Sequence, residues 1–528
     1  MSERAFKLCL LGIGLVALLG SGLDVMEVDA AQYAGMSRDM LERGDFLKLY
    51  FRDEDYLDKP PLLFWLSALS FKCFGVHNWS YRLPSILFAF LALFSTYRFA
   101  ALYRGQAVAR TATLILGGSA AFFLMTNDVR CDTILTGSVI MAMWLGCAWL
   151  EQGRGWQLIG CSLAIGAGLL AKGPIGLVAP VIAVGSQLVL TRNWSRVRDP
   201  RLLFGAIVVG LLLLPMCIGL YQQHGMYGLR FYFWEQSFGR ITGENRWKDD
   251  STVLFFTHEI LWQLLPWTLF VLAGLWQSLR SMIRKEVLPE YASFLGAILV
   301  FTALSLSHFK LPHYLFVIAP LFAVLGAIGL HGHLRIALGR MHIILVLLLL
   351  LVAISLTYIT FAEDRWPFLA LLGATGIAGC LWIYRRGLER GLVTTSFLVM
   401  VTIGVVMNGH FYPHLLRYQA NAQAGQWAAE KGLGKEAFYS MQISGSALDF
   451  YAGYPVQWIS NEVEARTVII PGVVIYTDAA HRMDLIAAGL VPVSEVVLPN
   501  YPVQRLGLKF LFPAARDEQL APRYLLEY

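Results

Sequence analysis

Thirteen apolar runs decide what this chain can fold into. They lie near residues 8–23, 82–103, 108–126, 132–150, 157–172, 175–191, 202–221, 257–279, 290–307, 312–331, 341–361, 366–384 and 392–410. A helix needs about 20 apolar residues to cross a bilayer core. Inside that core every backbone N–H and C=O must find a partner within the protein, which makes a chain of many such runs a helical bundle. Of the 528 residues, 57% are hydrophobic and 15% charged, against about 25% charged in soluble domains. The chain therefore reads as a polytopic membrane protein. Its first run, after Met1–Lys7, lacks a clean small-x-small cleavage site and reads as a retained span. The 157–191 region is the weakest, because Lys172-Gly173-Pro174 interrupts it.

Loop charges set the orientation. With the N-terminus inside, successive inner loops hold Arg104 and Arg110, then Arg154, then Arg192, Arg196, Arg198 and Arg201. The next three hold Arg280, Arg284 and Lys285, then Arg335 and Arg340, then Arg385, Arg386 and Arg390. Basic residues in short loops mark the cytoplasmic side. They account for the net charge of +6 without a nucleic-acid partner. The seven cysteines show no CxxC spacing, and Cys9, Cys147, Cys161, Cys217 and Cys380 fall in apolar runs. They read as small buried side chains, neither a zinc site nor a disulfide frame.

The outer segments, 24–81, 222–256 and everything past 410, are long and mix acids, bases and aromatics. Beyond 410 no run could span a bilayer. Short β-type stretches occur at Arg466–Ile470 and Val473–Tyr476, and a helical stretch near Ala479–Gly489. The expected fold is an all-α polytopic domain of about 13 transmembrane helices over 1–410, followed by a small outer α/β domain over 411–528.

Charges gather at the outer ends of the spans. The first outer segment carries Asp24, Glu27, Asp29, Tyr33 and, at its close, Asp58-Lys59-Pro60-Pro61. The others are Asn127–Asp132 with Arg130, Ala171–Pro174 with Lys172, Phe233–Arg240 with Glu235, and Ser305–Tyr314 with His308 and Lys310. Each has a structural explanation of its own. Asp29 could cap a helix, Arg130 and Asp132 could pair across a turn, and lysines can snorkel to headgroups. Trp65, Trp79, Trp234, Trp247 and Trp267 suit an interfacial belt. The conjunction asks for more, since ionisable groups at membrane depth mark functional sites. Lysine binds phosphate as a point charge, arginine does so bidentately, and a carboxylate can take a proton from a hydroxyl. Pro60-Pro61 suits the first turn of an interfacial helix over about Leu62–Phe74, which would hold Lys59 at headgroup depth.

The segments "DAAQYAGMSRDML", "DKPPLLFWLSALSFKCFG", "RLPSILF", "LLAKGPIGL" and "SLSHFKLPHYLFVIAP" resemble those of the bacterial ArnT/PMT-related integral membrane glycosyltransferases of the GT-C fold, in the same order. The resemblance covers about the first 320 residues. It implies juxtamembrane helices in the first outer loop and inverting transfer of a sugar from an undecaprenyl-phosphate donor. The acceptor would be a lipid A-like lipid or another envelope molecule, on the periplasmic side of a bacterial inner membrane. A protein acceptor, as in protein mannosyltransferases, is the alternative. In the family's Asp-Glu-Ala-x-Tyr pattern, Asp29 and Tyr33 match while Ala30 replaces the Glu. Asp29 and Asp132 correspond to the acid pair; Lys59, Lys172, Arg240 and Lys310 are the cations expected to balance a donor phosphate. Tyr33, Arg130 and Tyr314 are substrate-binding candidates. Asp58, Glu235 and His258 are candidates for a divalent metal, although their spacing fits no tight motif. A transporter or flippase would place charges and broken helices near the midplane with repeat symmetry, and no internal repeat is visible. A scaffold carrying an exported sensor domain would not need five charged outer segments.

The loop charges generate a direct test of orientation. A reporter active only outside the cytoplasm, fused after Tyr528, is expected to give signal. Signal from a cytoplasmic reporter alone would reverse the parity of the spans.

Overall fold

The computed structural model describes residues 2–236, 239, 251–332 and 335–528. Every apolar run is helical. The first nine helices are α1 (Glu3–Ser21), α2 (Asp29–Arg43), α3 (Leu62–Phe74), α4 (Asn78–Gly117), α5 (Ala120–Asn127), α6 (Cys131–Gln152), α7 (Gly155–Lys172), α8 (Ile175–Leu190) and α9 (Arg201–Arg230). Further apolar helices follow at Phe255–Gln263, Thr268–Ile283, Ala292–Ser305, Ala319–Leu330, Arg335–Ile359, Arg365–Arg386 and Leu388–Val406.

Length and composition make eight of the described helices able to cross a membrane, or nine if one bent pair counts as a span. The expected figure of about 13 is higher because several apolar helices are short or interrupted. α4 holds the run 82–103 and the first part of 108–126, its backbone breaking at Gly105 with φ +77°, and α5 completes the second run. The run 257–279, expected as one span, is two helices, Phe255–Gln263 and Thr268–Ile283, bent by 119° across a four-residue break that contains Pro266. Proline cannot donate the helical hydrogen bond and its ring clashes with the preceding turn.

Burial separates interior from periphery. Of its most apolar window, α6 buries 94% and the Pro312–Leu330 segment 83%, against 17% for Arg365–Arg386 and 22% for Arg201–Glu235. α6 is thus the central helix, packed on α4, α7 and α8. Its N-terminal end, at Cys131-Asp132, lies where the first outer segment folds over the bundle. That segment forms the two helices α2 and α3, which pack on each other, joined through a short antiparallel pair, β1 (Tyr50–Phe51) and β2 (Glu54–Asp55). α3 begins directly after Pro60-Pro61 and covers the residues expected for the interfacial helix.

The C-terminal region builds one five-stranded sheet in the order β4-β3-β5-β7-β6. Its strands are β3 (Phe438–Met441), β4 (Gln457–Ile459), β5 (Val474–Asp478), β6 (Ser494–Leu498) and β7 (Arg523–Glu527). β3 pairs in parallel with β4 and β5, while β7 runs antiparallel to β5 and β6. The stretch Arg466–Ile470, expected as a strand, lies largely in a helix, Glu462–Val468. Asn461 caps that helix by accepting from the Glu464 N–H, with Glu462 and Glu464 in the first turn. Cap and dipole override the β-branched composition.

A polar seam fastens this region to the first outer segment. Arg38 Nη1 donates to the Asp449 and Phe450 carbonyls at 2.9 and 3.2 Å. Arg52 grips the Asp449 carboxylate with two nitrogens, at 2.6 and 2.9 Å. Glu27 accepts from the Ala447 N–H at 2.8 Å and from Asn421 Nδ2 at 2.9 Å. At Gly445 a Cβ would stand 1.9 Å from Asn421 Nδ2, so a side chain there would push the Asn421 amide off its contact with Glu27. Burial raises the Asp449 carboxyl above its usual range, although Arg52 and the Val456 N–H pull it down.

An acid whose folded-state pKa is raised favours the folded protein below its unfolded value, and that contribution is lost as pH rises through the folded value. The ionised carboxylate at neutral pH therefore depends on Arg52. Arg52→Ala is expected to lower stability at pH 7 by about 1.5–3 kcal/mol, the worth of a charged hydrogen-bonded contact. The deficit should shrink at acid pH, where a protonated Asp449 needs no counter-ion. Thermal melts of both proteins at the two pH values check this; an equal deficit at both overturns it.

Candidate active site

Several chain segments converge at the N-terminal end of α6. Asp29 opens α2, where the positive end of the helix dipole favours a carboxylate. Arg130, the residue before α6, bridges two acids. Its Nη1 donates to Asp29 Oδ2 at 2.8 Å and its Nε to Asp128 Oδ2 at 2.6 Å. Burial opposes the guanidinium's charge, but Asp128 and Asp29 outweigh it and raise the Arg130 pKa.

Asp132, in the first turn of α6, is 3% exposed. Lys172 Nζ donates to its Oδ1 at 2.5 Å, and His313 Nε2 stands 3.7 Å from its Oδ2. Lys172 is the last residue of α7, at the helix end that favours a cation. Gly173 turns the chain with φ +80°, and Pro174 leads directly into α8. That reversal leaves the lysine at a sharp corner rather than within a longer helix. Its ammonium lies 3.8 Å from the Tyr314 ring centroid, a cation–π contact.

Lys59 enters from the other side, just ahead of Pro60-Pro61 and α3. It pairs with Asp58, and Gln236 Nε2 donates to the Asp58 carbonyl. Burial works against the Lys59 charge, yet the Asp58 carboxylate prevails and holds the ammonium above its usual range. Lys59, Lys172, Asp132, Tyr314, Gln236 and Ser307 share one cavity of about 130 Å³. Its remaining walls are largely aliphatic, from α6, α8 and the Ala292–Ser305 helix. Two cations from separate elements thus face a mostly apolar hollow, each already matched by a carboxylate. Such a hollow can hold one phosphate with an attached apolar chain.

The other expected site residues are distributed differently. Tyr33 is buried edge-on against Phe64 of α3, and its hydroxyl meets Tyr56; burial pushes both phenols up. Lys310 does not line the cavity and donates to Ser251 O and Oγ at 3.2 and 3.3 Å. Arg240 lies outside the described residues. The expected metal set is not assembled. Asp58 pairs with Lys59, Glu235 with Arg230 at 3.3 Å, and His258 is exposed beside Glu259 at 3.6 Å. Among the described residues no three His, Cys, Asp or Glu side chains form a metal-holding group. Asp128, His313, Tyr56 and Gln236 belong to this site without having been singled out from the sequence. The "NDVRCD" spacing was the available signal for Asp128, since Arg130 can reach back two residues; nothing local marks Tyr56 or Gln236.

The helical bundle with its folded outer segment and α/β region has the fold of solved ArnT structures. In sequence the chain is similar to ArnT and PMT-type proteins. The family model described as dolichyl-phosphate-mannose-protein mannosyltransferase matches residues 58–218. The undecaprenyl phosphate-alpha-4-amino-4-deoxy-L-arabinose arabinosyl transferase of Yersinia pestis (strain Pestoides F) is 28% identical over 316 residues, 57% of this chain and 54% of that protein. The chain therefore matches about half the length of that relative. The transferase 2 of the same description from Proteus mirabilis (strain HI4320) is 26% identical over 377 residues, covering 67% and 66%. The crystal structure of ArnT from Cupriavidus metallidurans bound to undecaprenyl phosphate superposes with a TM-score of 0.74 at 18% identity, over 99% of this chain and 98% of that one. Its apo form gives 0.73 over 94% and 96%. At that identity the likeness establishes the fold.

Proposed function

We propose that this protein is an inverting, lipid-phosphate-dependent glycosyltransferase that moves a sugar from an undecaprenyl-phosphate donor to a lipid A-like acceptor. The observation that carries the reading is the cavity in which Lys59 and Lys172 face aliphatic walls beside Asp132. The named donor of the Yersinia relative is of the same class. The protein lies in a bacterial inner membrane, surrounded by its lipids, with the site and the α/β region facing the periplasm. The transmembrane unit is 1–410 and the periplasmic unit 411–528, the junction falling near the end of the apolar helix that closes at Leu416.

In the reaction an acceptor oxygen attacks the anomeric carbon while the bond from that carbon to the phosphate oxygen breaks. The electron pair leaves with the phosphate, and the sugar inverts. Lys59 and Lys172 shift from their carboxylates toward the phosphate and stabilise its growing charge. Tyr314, stacked on Lys172, holds that lysine against the cavity wall. Asp29 takes the proton from an acceptor hydroxyl; an acceptor that is already anionic needs no base, and Asp29 then orders the site through Arg130. Transfer to protein is a second reading, favoured by the family description over 58–218.

The test is turnover of polyprenyl-phosphate sugars by the purified protein in lipid vesicles, followed by mass spectrometry. A charge-assisted phosphate contact is worth about 1.5–3 kcal/mol, roughly ten- to a hundredfold. Lys59→Ala is expected to lose that much while staying folded, with Lys59→Arg intermediate because a planar fork approaches phosphate differently. Asp29→Asn should lose most transfer to a hydroxyl acceptor. Wild-type turnover by Lys59→Ala would move the phosphate to other cations, and a wild-type protein that consumes no such donor would end the reading.

A further inference from the structure

The site's two acid-bearing loops are joined at their far ends by the Arg130 bridge from Asp29 to Asp128. A second junction lies beneath them, on α4. Arg82 is 1% exposed, and no carboxylate stands within ion-pair distance of it among the described residues. Its guanidinium spends its donors on backbone carbonyls instead. Nε donates to Asn127 O at 2.9 Å, Nη2 to Asp24 O at 2.9 Å, and Nη1 to Leu23 O at 2.5 Å. Ser21 O and Asn78 O lie at 3.4 and 3.3 Å from Nη1.

These carbonyls share a character. Ser21 ends α1 and Asn127 ends α5, and the last carbonyls of a helix lack intrahelical partners. Both helix ends also carry partial negative charge that favours a cation. One guanidinium, with five donors in a fixed plane, therefore ties the exit of α1 to the exit of α5. The α1 exit runs through Leu23 and Asp24 to Asp29, and the α5 exit runs through Asp128 to Arg130 and Asp132. The preceding residue, Tyr81, is fully buried and donates its hydroxyl to Ala30 O at 2.7 Å, directly behind Asp29.

We infer that Tyr81 and Arg82 form a positioning clamp: they hold the Asp29 loop and the Asp128–Asp132 loop in register, and so set the placement of the acids relative to the lysine-lined cavity. The clamp touches no substrate and acts through Asp29, Arg130 and Asp132. Its catalytic meaning rests on the transferase reading above, whereas its structural action does not. Asn127 is also held independently, by Asn408 Oδ1 at 2.7 Å, so a mild change at position 82 need not unfold the bundle.

Two conservative variants test it. Tyr81→Phe removes one hydroxyl and keeps the ring, and Arg82→Lys keeps the charge but cannot reach both helix ends. Both are expected to fold and to bind undecaprenyl phosphate as the wild type does. Misplacing a reacting group by a fraction of an ångström is expected to lower kcat about tenfold in Arg82→Lys and about threefold in Tyr81→Phe, with donor KM within about twofold. Amide hydrogen exchange should quicken over residues 22–31 and 127–131 in Arg82→Lys, and not across the five-stranded sheet. A residue that merely supports the fold would lower the melting temperature and the fraction of binding-competent protein, leaving turnover per competent site unchanged; that outcome overturns the clamp. Unchanged exchange in both loops overturns it too. Absence of turnover in the wild type would remove the transferase reading, and the exchange measurement would still decide the clamp.

Discussion

A carboxylate 3% exposed at the end of a central membrane helix must have a cation beside it, and Asp132 has Lys172 at 2.5 Å. Taking an ion out of water costs several kcal/mol, and an uncompensated buried charge costs more than the pair it came from. That requirement reaches into the rest of the bundle. It demands that α7 end where α6 begins, which the Gly173-Pro174 turn supplies. It also demands that the Pro312–Ile318 turn pass close enough for Tyr314 to cover the ammonium and His313 to face the other carboxylate oxygen. Once those elements are placed, the apolar walls of α8 and the Ala292–Ser305 helix close around the same point.

The first outer segment is fixed from two directions. Below, α4 holds it through Tyr81 and Arg82; above, the C-terminal region holds it through Glu27, Arg38 and Arg52. Asp24 shows the two meeting in one residue. Its carbonyl accepts from Arg82, and its carboxylate accepts from Asn78 and Gln426, on α4 and the C-terminal region respectively. α2 therefore presents Asp29 from a helix anchored at both faces, and not from a free loop. That arrangement gives the α/β region a structural part in the site although it contributes no side chain to the cavity.

Much of the membrane architecture was legible in the sequence, because length and apolar content are local properties that the bilayer reads directly. The Pro266 break was less so, since the apolar run continues through it and only the backbone chemistry marks the bend. α3 was legible to the residue, as a double proline fixes a helix start. Within the site, Lys59, Lys172, Asp132 and Tyr314 could be picked out one by one as polar groups at span ends. Their partners could not. Lys172 and Asp132 lie 40 positions apart, Arg130 and Asp29 lie 101 apart, and such pairings follow from packing that no local pattern encodes. The same reason put Glu235 and His258 in a metal set they do not share, and hid Arg82, which reads in the sequence as one more basic residue at a helix end.

The charge balance around the cavity bears on what it selects. Lys59 and Lys172 are each matched by an acid, Asp58 and Asp132. A phosphate must therefore compete with carboxylates already in place, and the net attraction left for a free anion is small. An attached hydrocarbon changes the sum. Each methylene taken out of water is worth about 0.8 kcal/mol, so a few of them against the aliphatic walls equal one charged hydrogen bond of about 1.5–3 kcal/mol. On the proposed reading the lipid tail supplies affinity and the lysines supply orientation and leaving-group stabilisation. On that reading the carboxylate partners hold both lysines beside the cavity until the donor arrives, and the burial of its hydrocarbon offsets the cost of drawing them toward the phosphate.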